Sequence, residues 1–296
     1  MQIRIRVKPG FYGALYVTPW VLGFLIFTAG PMLASFFLSL HTYDLHDLRF
    51  VGLENYHRLF TQDPLFWKAL RVTVTYALFS VPLGIAGSLA LALLLNQKVR
   101  GIPVFRCLCY MPSLVPAVAS AILWQWAFNA DHGFINQIVG LFGFGKPQWL
   151  QDEKWTLPAF IIMSLWGVGG GRMIIFLAGL QGIPESYYEA ATLDGASTWQ
   201  QFREVTLPML SPVTFFNLIL GLIGSFQFFT GAYVMTSGGP NNASLFYALY
   251  LFRNGFEYMK FGKASALAWV LFAILLVLTL IQFSFSKRWV YYEENA

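Results

Sequence analysis

The sequence predicts an all-α membrane protein with six transmembrane helices. Two observations carry that reading. The chain is 57% hydrophobic and only 11% charged, with mean hydropathy +0.57, whereas a soluble domain carries about 25% charged residues. It cannot coat itself with a solvated surface, so lipid must be its solvent. Six separate segments are also long and apolar enough to cross a bilayer. Backbone polar groups in lipid must be satisfied within the segment, which leaves the helix as their form.

The first span is expected over 11–40, without a charged residue. At ~1.5 Å per residue it exceeds the ~30 Å hydrocarbon core, so it tilts or ends in the interface. Basic residues precede it, as in a signal peptide. The apolar run is about twice the usual length, however, and no A-x-A site follows, so it reads as an uncleaved span. Segments 72–97 and 107–130 are charge-free, 155–181 is interrupted only by Arg172, a fifth span runs over about 207–233, and 264–286 is the last. Between the first two spans, 51–60 reads as a short amphipathic helix at the outer interface. Residues 237–242 (Ser-Gly-Gly-Pro-Asn-Asn) are dense turn chemistry. Segment 245–252 is too short to span and is expected at the outer interface or on the pore mouth.

Both termini are expected in the cytoplasm. With that orientation nine Lys and Arg lie on each side, so the raw count does not decide. The inner charges crowd against span ends in short segments, where the positive-inside rule is strongest. The organisation is then an N-terminal segment 1–10, a membrane body 11–286 containing a polar cytoplasmic loop 182–206, and a cytoplasmic tail 287–296.

Several chemistries are excluded. The net charge of +5 is spread out, without the basic stripe that nucleic acid requires. Cys107 and Cys109 read as small apolar filler rather than redox or metal groups, having no His or acidic neighbour in sequence. The four histidines lack metal-ligand spacing, so no metal site is expected. Gly140-x4-Gly145-Lys146 imitates the start of a P-loop, but Pro147 stands where Ser or Thr is required. No catalytic constellation can be placed in the membrane, so the chain is not read as an enzyme.

The polar loop between the fourth and fifth spans carries the most information. Pro184 suits a first helical turn, and Glu185 and Glu189 lie toward the N-terminal end of that helix, where the dipole favours negative charge. Ala190 and Ala191 keep one face small, so that another protein's groove can close on it. Asp194-Gly195 is a helix stop, a second short helix fits 197–205, and Pro208 opens the next span. The result is a rigid helix–turn–helix outside the membrane.

The spacing Glu189-Ala190-Ala191-x3-Gly195-x9-Val205-x-Leu207-Pro208 resembles the EAA loop of importer-type ABC permeases, with Val205 where Ile is usual. The runs 174–185 and 233–240 resemble the carbohydrate branch of that family, the maltose and glycerol-phosphate type. The resemblance covers essentially the whole chain. It implies a type I ABC importer permease fold in a bacterial cytoplasmic (inner) membrane. It also implies a second homologous permease, two ATP-binding subunits and an extracellular or periplasmic substrate-binding protein as partners. ATP and Mg would be used by those ATPases, and this chain would bind no cofactor of its own. Glu189, Ala190, Ala191, Asp194 and Gly195 would form the dock, with Leu207 and Pro208 passing motion to the fifth span. The cargo implied is a sugar or oligosaccharide. Acidic saccharides and polyol phosphates stand as alternatives, because Arg172 falls where this branch usually has an uncharged residue.

Substrate contacts are sought among polar and aromatic groups inside spans. Asn217, Gly221, Gly224 and Phe228 recur on one helical face, with Ser225 and Gln227 beside it. A buried amide in lipid costs several kcal/mol, so Asn217 and Gln227 should face protein or water, contacting a substrate or tying helices together. Gln125 sits between Trp124 and Trp126 near the outer end of the third span, where an aromatic belt also explains the pair, and Trp166 lies deeper. Arg172 is about 13 Å from the inner end. It snorkels, pairs with a partner subunit, or meets an anionic substrate. Gly167 and Gly171 have the G-x-x-x-G spacing of close helix packing. A secondary transporter is the rival reading. It would want acidic residues inside its spans, and none of the six contains an Asp or Glu.

Overall fold

The computed structural model describes residues 9–43, 47–143 and 145–291. Arg4, Arg6, Lys8, His46 and residues 292–296 lie outside the described residues, so the N-terminal segment 1–10 and the tail 287–296 are only partly covered.

The chain divides into two compact units. The first takes in the chain up to Gln62 together with Leu251–Ala273. Its opening helix, Pro9–Phe24, continues through a π-turn at Leu25–Ala29 into Gly30–Ser39. The widened turn has a local cause. Pro31 lacks an N–H, and its ring would press on a carbonyl of the preceding turn; bonding Gly30 N–H to Leu25 O instead opens the register there. A two-stranded antiparallel ribbon follows, His41–Tyr43 against Leu48–Phe50, which the all-α expectation did not include. The amphipathic helix forms at Glu54–Thr61, and Asn55 Nδ2 donates to Ser39 O and His41 O at 2.8 and 2.9 Å. Gly262, in the last helix Phe261–Ser286, lies so close to the ribbon that a Cβ would fall 2.0 Å from His41 O.

The second unit holds Asp63–Tyr250 and the chain from Ile274. Helix Pro64–Leu95 is its longest. It starts earlier than the expected 72, because Asp63 caps it, accepting from Leu65 N and Phe66 N, and Pro64 suits the first turn. At its other end Arg106 donates to Leu95 O at 2.9 and 3.2 Å, satisfying a terminal carbonyl.

Two expected spans are broken rather than continuous. The third bends by 93° between Ile102–Leu114 and Ala117–Ala127. Pro116 forces the residue before it out of the helical region, and Val115 is extended at φ −71°, ψ 127°. The fourth bends by 45° between Glu153–Gly169 and Gly171–Gln181. Glycine costs about 1 kcal/mol relative to alanine in a helix, and the run Gly169-Gly170-Gly171 concentrates that cost at one point. The freed Val168 carbonyl is taken by Ser88 Oγ at 2.8 Å. Among the described residues, four helices are long and apolar enough to cross a membrane, or six spans if each bent pair counts as one.

The G-x-x-x-G pair Gly167 and Gly171 does not make the expected close helix approach. A Cβ on Gly167 or Gly171 would meet nothing within 4 Å, whereas one on Gly169 would fall 2.0 Å from Cys109 O and one on Gly170 3.1 Å from Ser113 Cβ. The inner glycines, not the spaced pair, let the two breaks abut. The fifth span begins in earnest at Ser211, with Pro212 in its first turn, so Pro208 belongs to the preceding short turn Leu207–Met209. Segment Tyr247–Phe252 is a short helix whose Tyr247, Leu249 and Tyr250 are buried, so it is packed in protein rather than laid on an interface. Ala92, Leu95, Met173, Phe176, Leu177, Leu180 and Leu210 form an apolar core cluster between the second span, the fourth span and the start of the fifth.

Candidate functional site

The polar loop is a compact helix–turn–helix. Pro184 is the cap rather than the first helical residue, and the first arm runs Glu185–Leu193. Glu189 therefore falls mid-helix, and only Glu185 lies in the first turn where the dipole argument applies. The arm ends in a Schellman motif: Ala196 N donates to Ala191 O at 2.9 Å, and Gly195 N to Thr192 O at 3.0 Å. Gly195 has φ +79° at the position where that motif requires a left-handed residue, with open space around it. Ser197 opens the second arm with a capping box to Gln200, and the arm continues through Thr198–Gln201 and a π-turn at Phe202–Thr206 into Leu207–Met209.

Side chains lock the arms together. Tyr188 Oη meets Thr206 Oγ1 at 3.0 Å, and Gln201 Nε2 donates to Thr192 Oγ1 at 3.0 Å and Ala196 O at 3.3 Å. Lys98 Nζ lies 3.3 Å from Glu185 Oε1, bringing the turn after the second span to the same end of the molecule. The outer face is unusually apolar for an exposed loop: Leu193 is 89% and Trp199 67% exposed. Glu189, Ala190, Asp194 and Gly195 are also exposed, while Ala191 is half-buried.

A second feature is a cavity of about 510 Å³ within the spans. It is lined from the second span by Tyr76, Ser80 and Gly84, and from the fourth by Ser164 and Arg172. Asn217, Gly221, Gly224 and Ser225 line it from the fifth. Arg172 stands at the second position of the half-helix Gly171–Gln181. Its guanidinium is wedged between two glycines: a Cβ on Gly84 would fall 2.6 Å from Nη1, and one on Gly221 3.2 Å from Nη2. Asn217 is fully buried; its Nδ2 donates to Val213 O at 3.0 Å, while Oδ1 has no hydrogen-bond partner.

Of the substrate-path residues, the structure brings Arg172, Asn217 and Ser225 together and separates the others. Gln227 is exposed at the end of helix Ser211–Phe226. Phe228 packs in an aromatic cluster, with ring centroids 5.0, 5.7 and 4.8 Å from Tyr76, Phe160 and Phe246. Trp166 lies 5.9 Å edge-to-face from Trp124, which is itself buried, unlike an interfacial belt residue. Gln125 donates to Met235 O at 3.2 Å and lines a different hollow, with Asn129, Gln148 and Trp149. Sequence reasoning missed the contribution of the second span. The signal was present: Tyr76, Ser80 and Gly84 recur every fourth residue in the charge-free segment 72–97, a polar-to-small stripe on one face.

Comparison with known proteins agrees with this architecture. Residues 80–291 match the family model of the binding-protein-dependent transport system inner membrane component. The chain is 43% identical to the probable ABC transporter permease protein YesP of Bacillus subtilis, over 97% of this chain and 94% of that one. It is 37% identical to the lactose transport system permease protein LacF of Rhizobium radiobacter, over 93% and 94%. Among solved structures it resembles a bacterial alginate ABC transporter in complex with an alginate pentasaccharide-bound periplasmic protein, at TM-score 0.83 and 22% identity, covering 97% of this chain and 98% of that one. That likeness establishes the fold.

Proposed function

Because the chain belongs to the family of inner-membrane components of binding-protein-dependent transport systems, we propose that it is the permease subunit of an ATP-driven saccharide importer. The observation that carries this reading is the exposed loop over 182–206. It is rigid by construction and presents Leu193 and Trp199 to solvent beside Glu189, a surface suited to a partner's groove. Two separate ATP-binding subunits, a second homologous permease and an extracellular or periplasmic binding protein complete the machine. The ATPases use ATP and Mg; this chain supplies the path and the lever. Both termini and the 182–206 loop face the cytoplasm in this reading.

The proposed cargo class rests on relatives and chemistry together. Relatives include permeases of lactose and arabinooligosaccharide transport systems. The cavity wall carries hydroxyls and an amide, groups that bond sugar hydroxyls. No Asp or Glu lines it among the described residues, so ion coupling through a carboxylate has no group to use there.

The test is uptake by proteoliposomes holding the whole complex, with binding protein outside and ATP inside. Labelled arabino- and malto-oligosaccharides serve as probes. Accumulation that requires both ATP and binding protein is expected. Transport by this chain alone, without ATP, would overturn the reading in favour of a secondary transporter.

A further inference from the structure

We propose that Arg172 is a carboxylate-binding residue, and that the cavity takes saccharides bearing uronate groups. The inference rests on the saccharide-import reading and deepens it.

The guanidinium is placed for a ligand rather than for the membrane surface. Its nitrogens fill the spaces that side chains at Gly84 and Gly221 would occupy, so it is held between the second and fifth spans. Gly84 lies about 16 Å along its helix from Leu95, at ~1.5 Å per residue. The charge therefore does not snorkel to the Leu95 end of that helix. It is the sole charged side chain lining the cavity among the described residues, and none of the ion pairs involves it. A cation at such depth without a counter-ion is costly unless an anion visits it.

Two further features point the same way. Arg172 stands in the first turn of Gly171–Gln181, so the positive end of that half-helix opens on the same space. Gly170 and Gly171 line the cavity, and a Cβ on Gly171 would meet nothing, which leaves room for a ligand to approach backbone N–H groups. Asn217 Oδ1 is buried in the cavity wall with no donor supplied to it. A ligand hydroxyl provides that donor.

Charge count, rather than shape, selects the anion, because a guanidinium fork matches carboxylate and phosphate alike. One guanidinium offers one unit of charge in a planar fork, which matches a single carboxylate bidentately. A phosphate dianion would leave charge uncompensated. A sugar carboxylate beside hydroxyls satisfies Arg172 and Asn217 together.

The test compares charge alone. Proteoliposomes with the complete complex are offered oligomers of galacturonate, glucuronate and mannuronate, and the methyl esters of the same oligomers. The readout is the ratio of acid to ester uptake, in wild type, Arg172→Gln and Gly84→Ala. A hydrogen bond to a charged group is worth enough to predict that Arg172→Gln lowers the ratio about tenfold to a hundredfold. Gly84→Ala keeps the charge but displaces the Nη1 end, a movement the flexible side chain allows, and lowers the ratio in the same direction. A ratio unchanged in Arg172→Gln, with both forms still moved or both lost alike, would overturn the proposal; the second pattern is that of pairing with the partner permease. Wild type that moves neutral saccharides but no acidic oligomer overturns it too, leaving the saccharide reading intact. A complex that moves no saccharide of either kind removes the saccharide reading and this inference with it.

Discussion

The hydroxyls of Tyr188 and Thr206 meet at 3.0 Å, joining the two arms of the exposed loop at the point where the second arm runs into the fifth span. In the proposed lever, a push on the first arm would be delivered through this contact to Leu207–Met209. Thr206 is buried, and without the tyrosine hydroxyl its Oγ1 keeps only the longer bond to Gln201 O at 3.4 Å. Tyr188→Phe should weaken the link by about 1 kcal/mol. The expected outcome is more ATP hydrolysed per sugar transported, with assembly unchanged. Equal stoichiometry in mutant and wild type would count against the link as part of the lever.

Gly195 is needed for its backbone, not for space. A Cβ there meets nothing within 4 Å, but φ is +79°. Gly195→Ala should therefore cost about 1–2 kcal/mol locally, and Gly195→Asn less, because Asn tolerates the left-handed region. Hydrogen exchange of the amides around Ala196 should accelerate in that order, Ala before Asn. The reverse order would show that side-chain room, not dihedral strain, governs the turn.

Gly169 and Gly171 make the opposite comparison. A Cβ on Gly169 falls 2.0 Å from Cys109 O, a backbone atom that cannot turn aside, and one on Gly171 meets nothing. Gly169→Ala should destabilise the abutting breaks by about 3 kcal/mol or more, among the larger single-site effects. Gly171→Ala should leave thermal unfolding of the purified complex close to wild type. Similar unfolding for both variants would argue against close approach of the two breaks.

Ser88 tests how the fourth span tolerates its interruption. Its Oγ donates to the Val168 carbonyl at 2.8 Å, across to the broken segment. Ser88→Ala orphans that carbonyl, an expected loss of about 1–3 kcal/mol. Ser88→Thr retains the hydroxyl and should retain more stability than Ser88→Ala. Stability of Ser88→Ala equal to wild type would mean that water serves the carbonyl instead.

These relationships were unequally legible in the sequence. The six apolar segments and the loop spacing from Glu189 to Pro208 were legible because hydropathy and turn residues act locally. The Schellman turn at Gly195 follows from Asp-Gly at the end of a periodic run. The 93° bend was visible in Pro112 and Pro116, and the 45° break in the glycine run, yet average hydropathy reads through both as if they were continuous. The cavity was half legible. Helical periodicity assembles one face of the fifth span, but it cannot say which residues of another helix stand opposite. Hence the sequence does not reveal Gly84 as the seat of Arg172, and it gives no ground to separate Gln125 and Gln227, similar in kind to Asn217, although they lie elsewhere. The short ribbon His41–Tyr43 with Leu48–Phe50 escaped notice because strands of three residues carry no periodic signal.

The most direct measurement is co-purification in mild detergent of this chain, tagged and expressed with its native neighbours, as wild type and as Glu189→Lys. Glu189 is exposed on the first arm, so charge reversal should leave the fold of the spans alone and alter the proposed docking face. A P-loop ATPase is expected to accompany the wild-type chain and to be lost from Glu189→Lys, while the mutant remains in the membrane with its partner permease. An ATPase retained by the mutant with full uptake, or a wild-type chain that purifies alone and still transports, would contradict that expectation.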